Sequence, residues 1–277
     1  MRLGAHLSVA PGLPAMAAMA VTLGCETVQI FSRSPRGGKP RELRVEEIAG
    51  MRAVLDGAGI SPLAIHVPYF VNLASPDPRL YEYAVATVAL DLERGRDLGA
   101  GYVITHPGSP GRGESPDAGL ERVAAALLRL LEDAADAPGL LVEQTAGGGR
   151  QLGGSLEELA FLLRAAPVGL CLDTCHAFSS GYDLSREDGR QAFLGDVEEK
   201  IGLDRVKVVH LNDSLDPPGS RKDVHVRVGD GLLGEDAFRG LLQDPRLRGL
   251  PGVLETPRTE DGDLAEELGR LRRWRAE

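Results

Sequence analysis

Gly169-Leu170-Cys171-Leu172-Asp173, followed at once by Thr174-Cys175-His176, is the stretch on which the fold turns. A short apolar run closes on a carboxylate, and an imidazole follows three residues later. A run of this length between glycine and an acid reads as a buried strand. The same design recurs on both sides. Leu63-Ala64-Ile65 ends in His66, and Tyr102-Val103-Ile104-Thr105 ends in His106. Leu140-Leu141-Val142 ends in Glu143, Val206-Lys207-Val208-Val209 in His210, and Gly252-Val253-Leu254 in Glu255. Two earlier runs, Leu3–His6 and Thr27–Phe31, complete a set of eight predicted strands: 3–6, 27–31, 63–67, 102–105, 140–143, 169–173, 206–210 and 252–255. Helical periodicity lies between them, most clearly over 85–98, 120–135, 156–165 and 236–242, where apolar residues recur three and four apart. Strands alternating with helices imply parallel pairing through right-handed crossovers. Eight such units in 277 residues predict one domain over 1–277. Its class is α/β, a single (β/α)8 TIM barrel with the active site at the C-terminal ends of the strands.

Six successive strands, the third to the eighth, therefore finish in a side chain that binds divalent metals. One strand-end histidine is often only a hydrogen-bonded structural residue, and one strand-end acid a helix cap. Six in a row at the end where barrel active sites form converge on one place. Packed together without cations, those carboxylates and imidazoles would be desolvated at a cost. Asp223-Val224-His225 lies in the long loop 212–235 and offers two more donors, which point the same way if the backbone is extended. With His176 the candidate set reaches nine: His66, His106, Glu143, Asp173, His176, His210, Asp223, His225 and Glu255. Since a zinc site takes three or four protein ligands, nine suit two or three ions with a bridging carboxylate. The mixture of imidazole and carboxylate favours zinc or manganese over magnesium or calcium.

Composition sets the remaining bounds. Hydrophobic residues are 43% and charged residues 26%, a balance that supports a large core and argues against disorder. The three cysteines, Cys25, Cys171 and Cys175, are too few and too oddly spaced for a disulfide framework, so a reducing compartment such as the cytoplasm is expected. No run is long enough for a membrane helix. The apolar stretch from Ala15 to Leu23 follows Pro11 and Pro14 and reads as the first barrel helix rather than a signal peptide. The net charge of −10 speaks against nucleic acid, but metal ligation neutralises carboxylates, and only four of the 31 basic residues are lysine (39, 200, 207 and 222). Arginine is the better phosphate clamp.

Several strings resemble the endonuclease IV family, the bacterial apurinic/apyrimidinic endonucleases: Gly4-Ala5-His6-Leu7-Ser8, Asp173-Thr174-Cys175-His176-Ala177-Phe178, Gly181-Tyr182-Asp183-Leu184, His210-Leu211-Asn212-Asp213-Ser214 and Leu254-Glu255-Thr256. The similarity runs from the first strand to the eighth. It implies a zinc-dependent deoxyribonuclease IV with three zinc ions per chain, manganese being an alternative at one site. His66, His106 and Glu143 would hold one ion. Glu143 would bridge to a second, with Asp173, His210 and Glu255, and His176, Asp223 and His225 would hold the third. The implied partner is double-stranded DNA with abasic sites or 3′-blocked breaks, which would associate the enzyme with the nucleoid. Nothing in the sequence demands an oligomer, so a monomer is expected. The implied reaction is hydrolysis of the phosphodiester 5′ to the lesion by a metal-bridging hydroxide that the catalytic candidate Glu143 orients. It leaves a 3′-hydroxyl and a 5′-deoxyribose phosphate, and 3′-repair activity accompanies it.

For DNA contact, Tyr69 and Arg36 resemble family residues that enter the duplex at the lesion, and His6 could touch phosphate or support the site. The bland readings are a loop aromatic and a solvated charge. Gly37-Gly38-Lys39 departs from the polar and aromatic residues typical after Arg36, which predicts a more flexible recognition loop. The enzymatic rival is a metal-dependent sugar isomerase or epimerase on the same barrel. Such sites need fewer metals, mostly carboxylate-held, and a base, and none of the four lysines sits clearly at a strand end. A binding protein that has lost turnover would lack part of the ligand set, and none is missing.

Overall fold

The computed structural model describes residues 1–132, 136–256 and 263–277. Eight parallel strands close on themselves in sequence order: β1 (Arg2–Leu7), β2 (Thr27–Ile30), β3 (Leu63–His66), β4 (Tyr102–Thr105), β5 (Gly139–Glu143), β6 (Gly169–Asp173), β7 (Val206–His210) and β10 (Pro251–Leu254). β1 shuts the ring against β10, from Arg2 opposite Pro251 to Ala5 opposite Leu254. Between β7 and β10 a small antiparallel pair, β8 (Asp213–Ser214) and β9 (His225–Val226), organises the longest loop. The helices are α1 (Leu13–Thr22), α2 (Val45–Gly57), α3 (Pro78–Leu98), α4 (Pro116–Glu132), α5 (Leu156–Ala165), α6 (Thr174–Ser180), α7 (Glu187–Lys200), α8 (Gly234–Gln243) and α9 (Asp263–Ala276). Among the described residues no helix is long and apolar enough to cross a membrane.

The expected α/β TIM barrel is thus the fold, with small differences at element ends. β2 and β3 stop one residue short of Phe31 and Val67, and Glu255 lies one residue past β10. Helix α3 begins at Pro78 rather than Val85 because Asp77 caps it, accepting from the Arg79 and Leu80 amides at 2.8 and 3.3 Å. The end predicted for α4, at 133–135, lies outside the described residues.

Two apolar layers hold the barrel. The outer one packs strand residues such as Ile65, Val103, Val142 and Leu172 against the helices. The inner one is a single plug of Ala64, Ile104, Leu141, Cys171, Val208 and Val253, one from each of six strands. Side chains alternate faces along a strand, so the next inward position is two residues on. Counting two from each plug residue gives His66, His106, Glu143, Asp173, His210 and Glu255. The same parity on β1 and β2 gives His6 and Gln29. The polar mouth is the inner core continued by one step.

On β7 that parity depends on an irregularity. Leu170 pairs with Val206, but Cys171 pairs with Val208, so Lys207 is the extra residue of a bulge. Val206 faces the outer layer and Val208 the plug, although they are two apart. An unbulged strand starting from Val206 would turn His210 toward the helices. With the bulge, His210 stands opposite Asp173.

Candidate metal centre

Glu143 lies at the centre of the mouth, buried, with imidazoles around both oxygens. Its Oε2 meets His66 Nε2 at 2.9 Å and His106 Nε2 at 3.1 Å, and its Oε1 meets His210 Nδ1 at 3.1 Å. His210 Nδ1 also lies 3.1 Å from Glu255 Oε2 and 3.8 Å from Asp173 Oδ2. A third group forms beside this pair: His176 Nε2 and His225 Nε2 approach Asp223 Oδ1 at 3.2 and 3.0 Å. The ligand-type atoms fall into adjoining clusters of His66, His106 and Glu143; of Glu143, Asp173, His210 and Glu255; and of His176, Asp223 and His225. All nine residues expected from the sequence are brought together, with Glu143 common to two clusters.

The clusters suit a metal on two counts. First, the outer nitrogens of two rings are committed. His66 Nδ1 donates to the Val67 carbonyl at 2.7 Å, and His176 Nδ1 donates to the Gln144 carbonyl at 2.7 Å. A carbonyl only accepts, so in each neutral ring the lone pair falls on Nε2, which faces the cluster. Second, His176 Nε2 and His225 Nε2 are buried and make no hydrogen bond among the described residues, although Asp223 is close to both. Buried polar atoms that converge on one point without mutual hydrogen bonds are what a cation would satisfy.

The imidazoles and carboxylates of the mouth favour one another's charged forms. Burial alone would lower His176, but the Asp173, Asp223 and Glu143 carboxylates override it and hold it well above the usual imidazole range. Burial opposes His225 likewise, and Asp223 carries it well above that range. Burial would raise Glu143 and Asp223. The histidines around them, His210 and His106 for the first and His176 and His225 for the second, hold both below the usual carboxylate range. Beneath them burial pushes the Cys171 thiol up to about 12, so this plug residue stays a neutral thiol.

Three amide and acid side chains that sequence reasoning missed set the positions of the candidate ligands. Gln29, fully buried, donates Nε2 to Glu255 Oε1 at 2.6 Å and has its Oε1 2.9 Å from His210 Nε2, bracing a histidine and a carboxylate at once. Asn212 donates to Asp173 Oδ2 at 2.6 Å and accepts from the Glu255 amide at 2.9 Å. Asp213, on β8 beside β9, gathers the segment that follows His225. Its carboxylate accepts from the backbone amides of Ser214, Gly229, Gly231, Leu233 and Gly234 at 2.8–3.2 Å. A Cβ on Gly231 would lie 2.4 Å from that carboxylate, so the approach requires glycine. The inward parity of Thr27 and Gln29 was the available signal for the glutamine.

The proposed DNA contacts lie at the rim. Tyr69 is 65% exposed, with its ring 5.7 Å from His66 and 5.3 Å from Phe31. Arg36 is exposed and lines a groove of about 740 Å³ with Arg33, Lys39, Arg41 and Arg94; His6 stands at its inner end. His6 Nδ1 is 3.0 Å from Gln29 Nε2 and 3.5 Å from Glu255 Oε1, so it backs the cluster rather than joining it.

Comparison with known proteins agrees with the fold. A family model described as a xylose isomerase-like TIM barrel matches residues 17–274. Endonuclease 4 of Thermus thermophilus is 43% identical over 277 residues, spanning 99% of this chain and 98% of its own. The probable endonuclease 4 of Methanoculleus marisnigri is 42% identical over 272 residues, spanning 95% and 96%. A crystal structure of endonuclease IV from Thermus thermophilus superposes with a TM-score of 0.89 at 42% identity, covering 99% of this chain and 98% of that one. A D-tagatose 3-epimerase-like protein at 18% identity, with a TM-score of 0.73, shares the fold alone. The chain belongs to the endonuclease IV family.

Proposed function

We propose that this chain is a DNA-repair endonuclease. It hydrolyses the phosphodiester 5′ to an abasic site in duplex DNA, leaves a 3′-hydroxyl and a 5′-deoxyribose phosphate, and removes 3′-blocking groups at breaks. The observation that carries the reading is the triple cluster around Glu143 at the barrel mouth. It supports three zinc ions: one at His66, His106 and Glu143, one at Glu143, Asp173, His210 and Glu255, and one at His176, Asp223 and His225, with manganese an alternative at one site. Ions so placed would activate water and neutralise charge on the attacking and leaving oxygens of an in-line displacement.

The chain's own residues do the rest. Glu143 presents one oxygen to each of two clusters and so sets their separation. Gln29 and Asn212 fix Glu255 and Asp173 against rotation. Arg36 and the neighbouring basic groove receive the phosphate backbone, and Tyr69, above His66, fills the gap left by the missing base. His6 supports Glu255 beside the phosphate. All nine ligands come from one chain, which suits a monomer.

The test is incision of an end-labelled abasic duplex with and without chelator, with end-group analysis. Chelator-sensitive cleavage 5′ to the lesion is expected. Cleavage 3′ to it, or activity that survives exhaustive chelation, would contradict the reading.

A further inference from the structure

The segment between β2 and α2 that carries Arg36 reads Arg33-Ser34-Pro35-Arg36-Gly37-Gly38-Lys39-Pro40. A turn from the Ser34 carbonyl to the Gly37 amide, 3.2 Å, starts it. Gly37 and Gly38 follow with φ of 86° and 92°, in the left-handed region. A glycine-rich loop of this kind places a side chain reproducibly only if its ends are held. One side chain holds both ends. Arg94 of α3 donates Nε to Ser32 Oγ at 3.0 Å, Nη2 to the Ser32 carbonyl at 2.6 Å and Nη1 to the Arg41 carbonyl at 3.0 Å. Ser32 Oγ in turn donates to Asp91 Oδ1 at 2.5 Å, one turn earlier on the same helix.

Arg94 is 8% exposed and Asp91 fully buried. Burying a guanidinium is unfavourable unless its donors are used, and these three are used on the two ends of one loop. A second contact ties this loop to the one bearing Tyr69. The Arg33 guanidinium lies 5.7 Å from the centre of the Phe70 ring, and a Cβ on Gly37 would be 3.6 Å from the same ring.

We propose that Arg94 is a positioning residue, a guanidinium staple that closes the 33–40 loop and so fixes where Arg36 stands over the DNA strand. The inference rests on the proposed role of Arg36, and the experiment separates the two. In the full-length, metal-loaded protein, Arg94→Met keeps the stem and removes the fork, while Arg94→Lys keeps the charge but cannot reach three acceptors. The first readout is limited trypsin digestion, with mass spectrometry of the new N-terminus at Gly37. It reports the loop whatever the enzyme does. Cleavage after Arg36 should rise about tenfold in both variants as the closed loop opens.

The second readout is steady-state incision of an abasic duplex. A misplaced contact of this kind should lower kcat/KM by about ten- to a hundredfold, mainly through KM, with metal content per chain unchanged. Unchanged cleavage at Arg36 would overturn the staple. Faster cleavage with unchanged KM would overturn the positioning role, and a fall in kcat together with loss of metal would mark Arg94 as merely structural. Should Arg94→Met not fold, Ser32→Ala, which removes one acceptor and the link to Asp91, carries the same two readouts with smaller changes expected. Wild-type protein that fails to cut an abasic duplex would refute the function and leave the loop measurement standing.

Discussion

The centre has two halves built differently. His66, Glu143, Asp173 and His210 are carried on strand ends, at an inward position two residues beyond a plug side chain, and are buried. Asp223 and His225 are carried by the loop and strand between β8 and the segment gathered by Asp213, and the Asp223 side chain is 42% exposed. The first half is as rigid as the barrel. The second is held by the β8–β9 pair and by loop amides that donate to α6, Gly219 to the Phe178 carbonyl at 3.1 Å and Arg221 to the Ser179 carbonyl at 2.9 Å. The candidate ligands thus come in part from sheet register and in part from a loop anchored nearby.

The largest effect tests the rigid half. Glu143→Gln preserves shape and removes the shared charge, and incision should fall by on the order of a thousandfold with the circular dichroism spectrum unchanged. A rate within tenfold of wild type would remove Glu143 from the centre of the scheme. Next, Asp213→Ala should strand five buried or half-buried amides and cost roughly 3 kcal/mol of unfolding free energy or more in urea titrations. Metal should be lost first from the cluster of His176, Asp223 and His225. A loss below about 1 kcal/mol would mean that the loop is held by something else.

Gln29→Leu, which removes the brace from Glu255 and His210, should weaken metal affinity or activity by about ten- to a hundredfold. A competitive chelator titration measures it. An unchanged affinity would leave Gln29 as filler of the mouth.

The smallest effect is on pH. In metal-free protein His176 and His225 are raised, so their stabilisation is complete below the ordinary imidazole value and is lost as pH rises through their elevated values. Glu143 and Asp223 are lowered, so theirs is complete above the ordinary carboxylate value and is lost as pH falls through the depressed ones. The metal-free thermal midpoint should therefore peak between about pH 4.5 and 6.5 and decline by a few degrees on either side. Metal must displace the imidazolium protons, so adding zinc near neutral pH should release protons into a weakly buffered dye solution. A flat midpoint profile would sever the two halves electrostatically.

The strand-borne half was legible in the sequence because parity carries a buried pattern into the polar layer. An apolar run that ends in His66 or Glu143 shows its candidate ligand at its end. The loop-borne half was legible only as Asp223 and His225 two apart, with nothing to show the β8–β9 pair and the α6 carbonyls that hold the loop. Gln29, on β2, and Asn212, just past β7, escaped because an amide carries no charge and no strong ligand signature. Helices α2, α7 and α9 carry the same spacing, as in Ile48, Met51 and Leu55 or Leu264, Leu268 and Leu271, but among charged residues that make it less plain. The start of α3 was marked by Asp77-Pro78 before any periodicity began.

The bulge at Lys207 has a consequence for anyone recombining these barrels. Inward and outward positions along a strand behave like even and odd numbers, and a bulge adds one. A β7 segment transplanted from a barrel without that added residue would match in length to the eye and still deliver His210 to the wrong side of the wall. The same arithmetic makes paired insertions in these strands tolerable at the mouth and single ones ruinous. Counting residues modulo two from the plug is then a quick check on any chimera before it is made.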